Sequence, residues 1–335
     1  MSADATSGSA VPAIEVEDLT VKFRRRDGDL AAVNGASFAL AQGEVMTILG
    51  ESGSGKSVTL KAMMGLLPGY TTITGAVRVA GRDILKLPPA ELARVRGGEV
   101  SMIFQEPMAA LDPVYTIGEQ IAETIVQHEG LSHAAAMKRA LELLERVAIP
   151  SAARRLKNFP HEMSGGMRQR AMIALALSCN PTVLFADEPT TALDVTVQIQ
   201  ILLLLRQLQQ ELGMSIVFVT HDVGVAAEIS DRIAVMYAGR FVETGTVRQV
   251  MRAPRHPYTL SLLNSTVHGG LRGRRLETIP GSPPSLAALP PGCAFAPRCS
   301  RGDESCALGQ PPVTSFGAGT IVRCFKAEAP SLALA

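Results

Sequence analysis

The stretch Gly50-Glu51-Ser52-Gly53-Ser54-Gly55-Lys56-Ser57 fits G-x-x-x-x-G-K-[ST] without a mismatch. Its residue types state a chemistry. Gly50, Gly53 and Gly55, with Ser52 and Ser54 between them, let backbone N–H groups turn inward around phosphate oxygens. Lys56 is long enough to reach the β- and γ-phosphates of a nucleotide, and the Ser57 hydroxyl is a ligand for Mg²⁺. A second constellation is Asp187-Glu188, two acids directly after the apolar run Thr182 to Ala186. Adjacent carboxylates at a strand end are costly unless a cation occupies the space. Mg²⁺ suits it, held chiefly by Asp187, leaving Glu188 to orient or deprotonate an attacking water.

Further candidates stand alone less well. His221 follows another apolar run, Ser215 to Thr220, and reads either as a structural histidine or as a γ-phosphate contact. Gln105 is left at a strand tip because Pro107 stops regular structure. Ser164-Gly165-Gly166 opens a helical run, as a plain cap or as a second anion site. Phe23 is equally a core aromatic or a platform for an adenine face. Finally, Cys293, Cys299, Cys306 and Cys324 are spaced C-x5-C-x6-C-x17-C. Four thiolates suit a tetrahedral Zn²⁺ or an iron–sulfur cluster, while free thiols remain the plain alternative; no C-x2-C knuckle is present.

The elements that must position these residues are legible in outline. Val45 to Leu49 reads as a buried strand and Val58 to Leu66 as the helix after the glycine loop. Ile14 to Phe23 reads as an edge strand, Ala36 to Leu40 as a second strand and Ala76 to Val79 as a third. A short helix starts at Pro88-Pro89, and Val100 to Phe104 is a buried strand. Ile117 to Gln127 and Ala134 to Val147, the latter capped by Ser132, are amphipathic helices, followed by a helical run from Ala171 to Ser178 in which Cys179 reads as a small buried hydrophobe at the end. Val195 to Leu212 is a helix closed by Gly213, and Arg232 to Tyr237 and Arg240 to Glu243 are strands around an Ala238-Gly239 turn. Strands alternating with helices imply an α/β fold, in which ligands gather at the carboxyl ends of the strands. From about Pro254 prolines recur and periodicity fades, so a loop-rich tail with little core of its own is expected to need a metal staple.

Lys and Arg number 32 against 31 Asp and Glu in 335 residues. This balance gives no support for nucleic-acid binding. Arg24-Arg25-Arg26 and the Arg272, Arg274, Arg275 group read as solvated loops before lipid sites. No run is long and apolar enough to cross a bilayer, the longest being Ile199 to Leu208. Residues 1–13 lack the pattern of a signal peptide and read as a disordered lead-in, which points to a cytoplasmic address.

Taken together, the phosphate loop, Gln105, Ser164-Gly165-Gly166, Asp187-Glu188, Asp194 and His221 occur in a fixed order. The set resembles the ATP-binding subunit of an ABC transporter, from about Ile14 to Glu328. The resemblance implies a P-loop NTPase core over residues 14–253 with a helical insert at about 106–178, and a cysteine-containing C-terminal domain over 254–335. It implies that Phe23 stacks on adenine, that Gln105 lies near Mg²⁺, and that Asp187, Glu188, Asp194 and His221 are the Walker B acid, the catalytic glutamate, the D-loop acid and the switch histidine. Ser164, Gly165 and Gly166 would bind ATP held by an opposite subunit. Met163 and Met167 depart from the Leu-Ser-Gly-Gly-Gln form. The segments His161 to Arg170, Gln105-Glu106-Pro107-Met108 and His256-Pro257-Tyr258-Thr259, with Arg298-Cys299, are similar to the peptide and nickel importer branch. That branch implies a [4Fe–4S] cluster on the four cysteines in preference to Zn²⁺. It also implies a paralogous ATPase partner, two membrane permeases, an extracytoplasmic binding protein, and a place on the cytoplasmic face of the membrane. Di- or oligopeptide import is the expected activity, with nickel or glutathione import, or a soluble ABC ATPase, as rivals.

Overall fold

In the computed structural model, which describes residues 11–26, 28–191, 193–265, 278–317 and 319–327, the chain begins with β1 (Ile14–Phe23), β2 (Leu30–Leu40), β3 (Val45–Leu49), α1 (Lys56–Met63), β4 (Thr71–Val79) and β5 (Arg82–Asp83). Next come α2 (Pro89–Gly98), β6 (Val100–Ile103), α3 (Pro107–Ala110), α4 (Ile117–Glu129), α5 (His133–Arg146), α6 (Ala152–Arg155) and α7 (Gly165–Ala176). The sequence closes with β7 (Val183–Asp187), α8 (Val195–Leu212), β8 (Ser215–Thr220), α9 (Val223–Ile229), β9 (Arg232–Tyr237), β10 (Arg240–Thr246), α10 (Val247–Arg252), α11 (Pro257–Asn264), β11 (Val313–Phe316) and β12 (Thr320–Arg323).

An eight-stranded sheet in the order β11-β12-β10-β9-β3-β8-β7-β6 faces a smaller sheet in the order β2-β1-β4-β5. Every residue of β3, β7 and β8 is buried, since both faces of the large sheet are covered. Strand alternation divides their side chains between two cores. Val183, Phe185, Val217 and Val219 join the core closed by α1 and the small sheet. Leu184, Ala186, Ile216 and Phe218 join the core closed by α4, α5, α7 and α8.

The parallel run β3-β8-β7-β6 sets the site. Leu49 pairs with Thr220, Asp187 with Val219, and Ile103 with Ala186. The four strands therefore end together, delivering the phosphate loop, His221, the acidic pair and Gln105 in a row along one sheet edge. This is the arrangement expected when parallel neighbours share a direction.

Helix limits follow local chemistry. Thr116 caps α4 in a reciprocal pair with Glu119, Ser132 caps α5, and α8 ends at Gly213 with φ of 64°. α7 starts six residues earlier than the apolar run from Ala171 suggests, because Ser164 accepts a hydrogen bond from the Met167 N–H and nucleates the helix on Gly165.

Several expectations are corrected. β1 is interior, bonded by β2 on one side and β4 on the other. Its loose alternation comes from a bulge at Asp18, φ 48°, which breaks the two-residue period in mid-strand. β2 begins at Leu30 where Ala36 was expected, and Ala13, expected to be disordered, is buried with its N–H bonded to Leu40 O at 2.9 Å. The tail joins the large sheet of the cassette. Glu243 and Thr244 of β10 pair with Val322 and Ile321, so β12 and β11 extend the large sheet. Tyr258, Leu262 and Phe295 share a third core with Val235, Tyr237 and Val242. That shared core holds the tail against the cassette. Arg24, Arg25 and Arg26 are exposed. The Arg272, Arg274, Arg275 group and residues 1–10 lie outside the described residues.

Candidate active site

The phosphate loop joins β3 to α1 in a conformation only its glycines permit. Gly55 has φ of 106°, and a Cβ there would sit 2.5 Å from Ala32 O; at Gly50 it would sit 2.3 Å from Met236 O. Lys56, 4% exposed, folds back to donate from Nζ to Gly50 O at 2.8 Å and Glu51 O at 2.9 Å. Burial pushes its ammonium below its ordinary range, while the Glu188, Asp187 and Glu51 carboxylates pull it back up. The Ser54 hydroxyl is buried with no hydrogen-bond partner. A buried orphan hydroxyl within a ring of glycines fits an anion such as a phosphate. Ser52 and Gly53 are exposed at the rim.

Across the sheet edge, Ser57 Oγ donates to Asp187 Oδ1 at 2.7 Å, although 130 residues separate them. Asp187 is 2% exposed; burial raises its carboxyl, and the Ser57 bond and the Lys61 charge lower it in part. A hydroxyl and a carboxylate oxygen in contact form a pair of hard oxygen donors that would hold Mg²⁺. When bound there, the ion would neutralise charge on the phosphates.

Glu188 follows with φ of 45°, a left-handed conformation uncommon for a non-glycine residue. Its N–H bonds Val219 O, and its carboxylate becomes a hub. Oε2 accepts from Thr191 Oγ1 at 2.9 Å, lies 3.2 Å from His221 Nδ1 and 3.5 Å from Gln105 Nε2. The structure thus brings together Lys56, Ser57, Gln105, Asp187, Glu188 and His221. Such an array can bind a nucleotide triphosphate with its metal and hold a carboxylate against a water for proton removal.

Other predicted residues lie apart from this array. Phe23, at the end of β1, is half-buried against the core that α1 closes, with its ring 6.2 Å from that of Tyr70. Asp194 caps α8, accepting from the Val197 N–H at 3.0 Å. Ser164 and Gly165 are exposed, and a Cβ on Gly165 would meet nothing, while one on Gly166 would lie 3.1 Å from Val197. Among the described residues, no hydrogen bond links Ser164, Gly165 or Gly166 to the phosphate loop or the acidic pair.

The four cysteines are gathered but not arranged as ligands. Burial raises Cys293, with Cys306 and Cys299 adding to the effect, and burial and the other three thiols push Cys324 up to about 11. Cys293 N–H bonds Cys306 O at 2.8 Å. Among the described residues, no group of three or more His, Cys, Asp or Glu side chains is placed to hold a metal ion. The expected cluster therefore does not fit this arrangement. Cys179, expected to be buried, is half-buried with its thiol donating to Thr124 O at 3.8 Å, and burial raises that thiol above its ordinary range.

Sequence reasoning gave no role at the nucleotide site to Thr191, Tyr258 or Arg298. Thr191 lies three residues past Glu188, a spacing at which a hydroxyl can reach back to a turn. The other two bond Glu51 from the tail, at 2.9 Å through Tyr258 Oη and at 2.8 Å through Arg298 Nη1.

Residues 33–191 match the model of the ABC transporter family, and residues 242–306 match that of the oligopeptide/dipeptide transporter C-terminal region. Over 313 residues the chain is 49% identical to the oligopeptide transport ATP-binding protein OppD of Salmonella typhimurium (strain LT2), covering 93% of each chain. The chain belongs to the ABC transporter ATPases. This ABC ATPase is also 51% identical over 291 residues to OppD of Bacillus subtilis (strain 168), covering 86% of the present chain and 81% of that one. Among solved structures it is similar to the ATP-binding cassette MJ0796, a dimer in a post-hydrolysis state bound to ADP and Pi, with TM-score 0.64 and 30% identity over 70% of this chain and 99% of that one. It is similar as well to cbiO1 of Clostridium perfringens, described as part of the ABC transporter complex cbiONQ, with TM-score 0.61 and 28% identity over 72% of this chain and 91% of that one.

Proposed function

We propose that this ABC ATPase powers import of di- or oligopeptides, working as one of two non-identical cassettes beneath two membrane permeases fed by an extracytoplasmic binding protein. The observation that carries the reading is the coupling, in one chain, of the ABC cassette with the oligopeptide/dipeptide C-terminal region, at 49% identity to a protein named for oligopeptide transport. No helix among the described residues is long and apolar enough to cross a membrane, so the path for the solute is assigned to other subunits, with this chain at the cytoplasmic face. The division of labour falls near residue 253, the cassette before it and the importer-type region after.

In this reading the phosphate loop and Lys56 hold the triphosphate, Ser57 and Asp187 hold Mg²⁺ with Gln105 close by, and Phe23 faces the adenine. Glu188 orients the water and takes its proton, and His221 meets the γ-phosphate. Ser164, Gly165, Gly166 and Asp194 act on the nucleotide of the opposite cassette, consistent with their lack of hydrogen bonds to the chain's own phosphate loop. ATP then closes the pair because each triphosphate gains contacts from both chains, a difference in affinity between open and closed states.

Reconstitution of the complete complex tests the assignment. ATP turnover should rise with the binding protein and a peptide; a rise with nickel or glutathione and none with peptides would overturn it. For the four cysteines, their proximity supports a [4Fe–4S] site and their arrangement does not, so no step depends on it. Iron and sulfide found after anaerobic purification would establish the cluster, zinc would replace it, and neither would leave free thiols.

A further inference from the structure

Among the described residues, the C-terminal region hydrogen-bonds the phosphate loop at Glu51. Arg298 grips its carboxylate with both prongs, Nη1 to Oε2 at 2.8 Å and Nη2 to Oε1 at 3.1 Å, while Tyr258 Oη accepts from the Glu51 N–H at 2.9 Å. Arg298 is itself fixed: Nε donates to Pro280 O at 2.8 Å, Nη1 lies 3.3 Å from Tyr237 Oη, and the side chain is 5% exposed. It ends the short 3-10 turn Ala296–Arg298, anchored by Phe295, whose ring stands edge-on to Tyr237 and Tyr258 at 5.2 and 5.4 Å. Pro283, Pro284 and Leu286 line a small cavity whose other wall is Glu51 to Ser54.

Glu51 is the residue immediately after Gly50, and its carboxylate is close enough to Lys56 to favour the charged ammonium, so it stands beside the loop meant for a polyanion. A bare carboxylate there would repel the phosphates, and in a half-buried setting that repulsion is weakly screened. A two-pronged guanidinium cancels the charge and holds the side chain away from the loop's interior. We infer that Arg298 is a positioning residue of the nucleotide site, neutralising Glu51 from the C-terminal region so that the phosphate loop accepts ATP. The C-terminal region is then part of the ATP site, whatever else it binds. The inference rests on reading Gly50 to Ser57 as the phosphate cradle.

The test is a titration of the full-length chain with a fluorescent ATP analogue and Mg²⁺, for the wild type, Arg298→Gln, Glu51→Gln and the double variant. Arg298→Gln should weaken binding about tenfold, Glu51→Gln should keep wild-type affinity or better it, and the double variant should recover to within about twofold of wild type. A purely structural contact would lower thermal stability in both Arg298 variants with no recovery of affinity in the double. Unchanged binding in Arg298→Gln, or a double variant as weak as Arg298→Gln, overturns the inference. Where Arg298→Gln alone does not fold, the double variant decides, since it carries no stranded carboxylate: wild-type affinity upholds the inference and weak binding overturns it. If the wild-type chain itself fails to bind the analogue, the phosphate-cradle reading fails instead.

Discussion

Replacement of Glu188 by Gln separates binding from hydrolysis. The amide keeps the size of the carboxylate, so an oxygen remains to accept from Thr191 Oγ1, now at 2.9 Å, and the left-handed backbone at Glu188 is untouched. What disappears is the capacity to take a proton from water and the negative charge that faces His221 at 3.2 Å. Positioned general bases contribute roughly 10²- to 10⁴-fold, or about 3–5 kcal/mol of barrier. The cradle is built without Glu188: Lys56 bonds Gly50 O and Glu51 O, and Ser57 bonds Asp187. Lys56 loses one of the three carboxylates that favour its charged form, with Asp187 and Glu51 remaining. ATP affinity should therefore stay within about threefold of wild type, while hydrolysis at this site falls at least about 100-fold and the closed pair persists with ATP bound. Single-turnover hydrolysis by the assembled complex, alongside an ATP titration of the chain, reads both quantities. A wild-type hydrolytic burst from the site carrying Glu188→Gln would show that another group takes the proton.

Gly165→Asp tests the role given to the signature helix. A side chain at Gly165 meets nothing within the chain, so thermal stability and ATP binding by the isolated chain should hold, while ATP-driven pairing and turnover of the complex collapse; retained turnover would refute the facing-cassette arrangement. His256 gives a pH test. Burial lowers its imidazole from 6.5 to about 3, and its Nδ1 accepts the Tyr258 N–H, which requires the neutral ring. Because the folded form binds the proton less readily than the unfolded chain, this contribution is complete above about pH 6.5 and is lost as pH falls toward about 3, at a limiting slope of about 1.4 kcal/mol per pH unit. Denaturant melts between pH 7 and 4 should show that slope, and His256→Gln should flatten it; equal slopes would place the acid sensitivity elsewhere.

Much of the site was legible because its chemistry is local. A phosphate cradle is one loop whose glycines, lysine and serine act within eight residues, and buried parallel strands announce themselves as short apolar runs. From the rule that ligands gather at strand ends, Asp187, Glu188 and His221 could be placed on the side of the phosphate loop, as the 2.7 Å contact of Ser57 with Asp187 bears out. The bulge at Asp18 hid β1's interior place, since one extra residue shifts the alternation that sequence reading depends on. The cysteine spacing announced a gathering of thiols, and spacing does not say whether folding places them to hold a metal ion.

What the chain's own order of residues determined was the nucleotide machinery, because caps, turns and strand periods are set by neighbours a few positions apart. What only the tertiary structure decided was how the C-terminal region joins it. β12 takes the open edge of β10, and Arg298 finds Glu51 across 247 residues. Neither pairing leaves a periodic trace, since an unpaired strand edge and a lone carboxylate accept whichever complementary group the packing of the shared core around Tyr237, Tyr258 and Phe295 brings within reach.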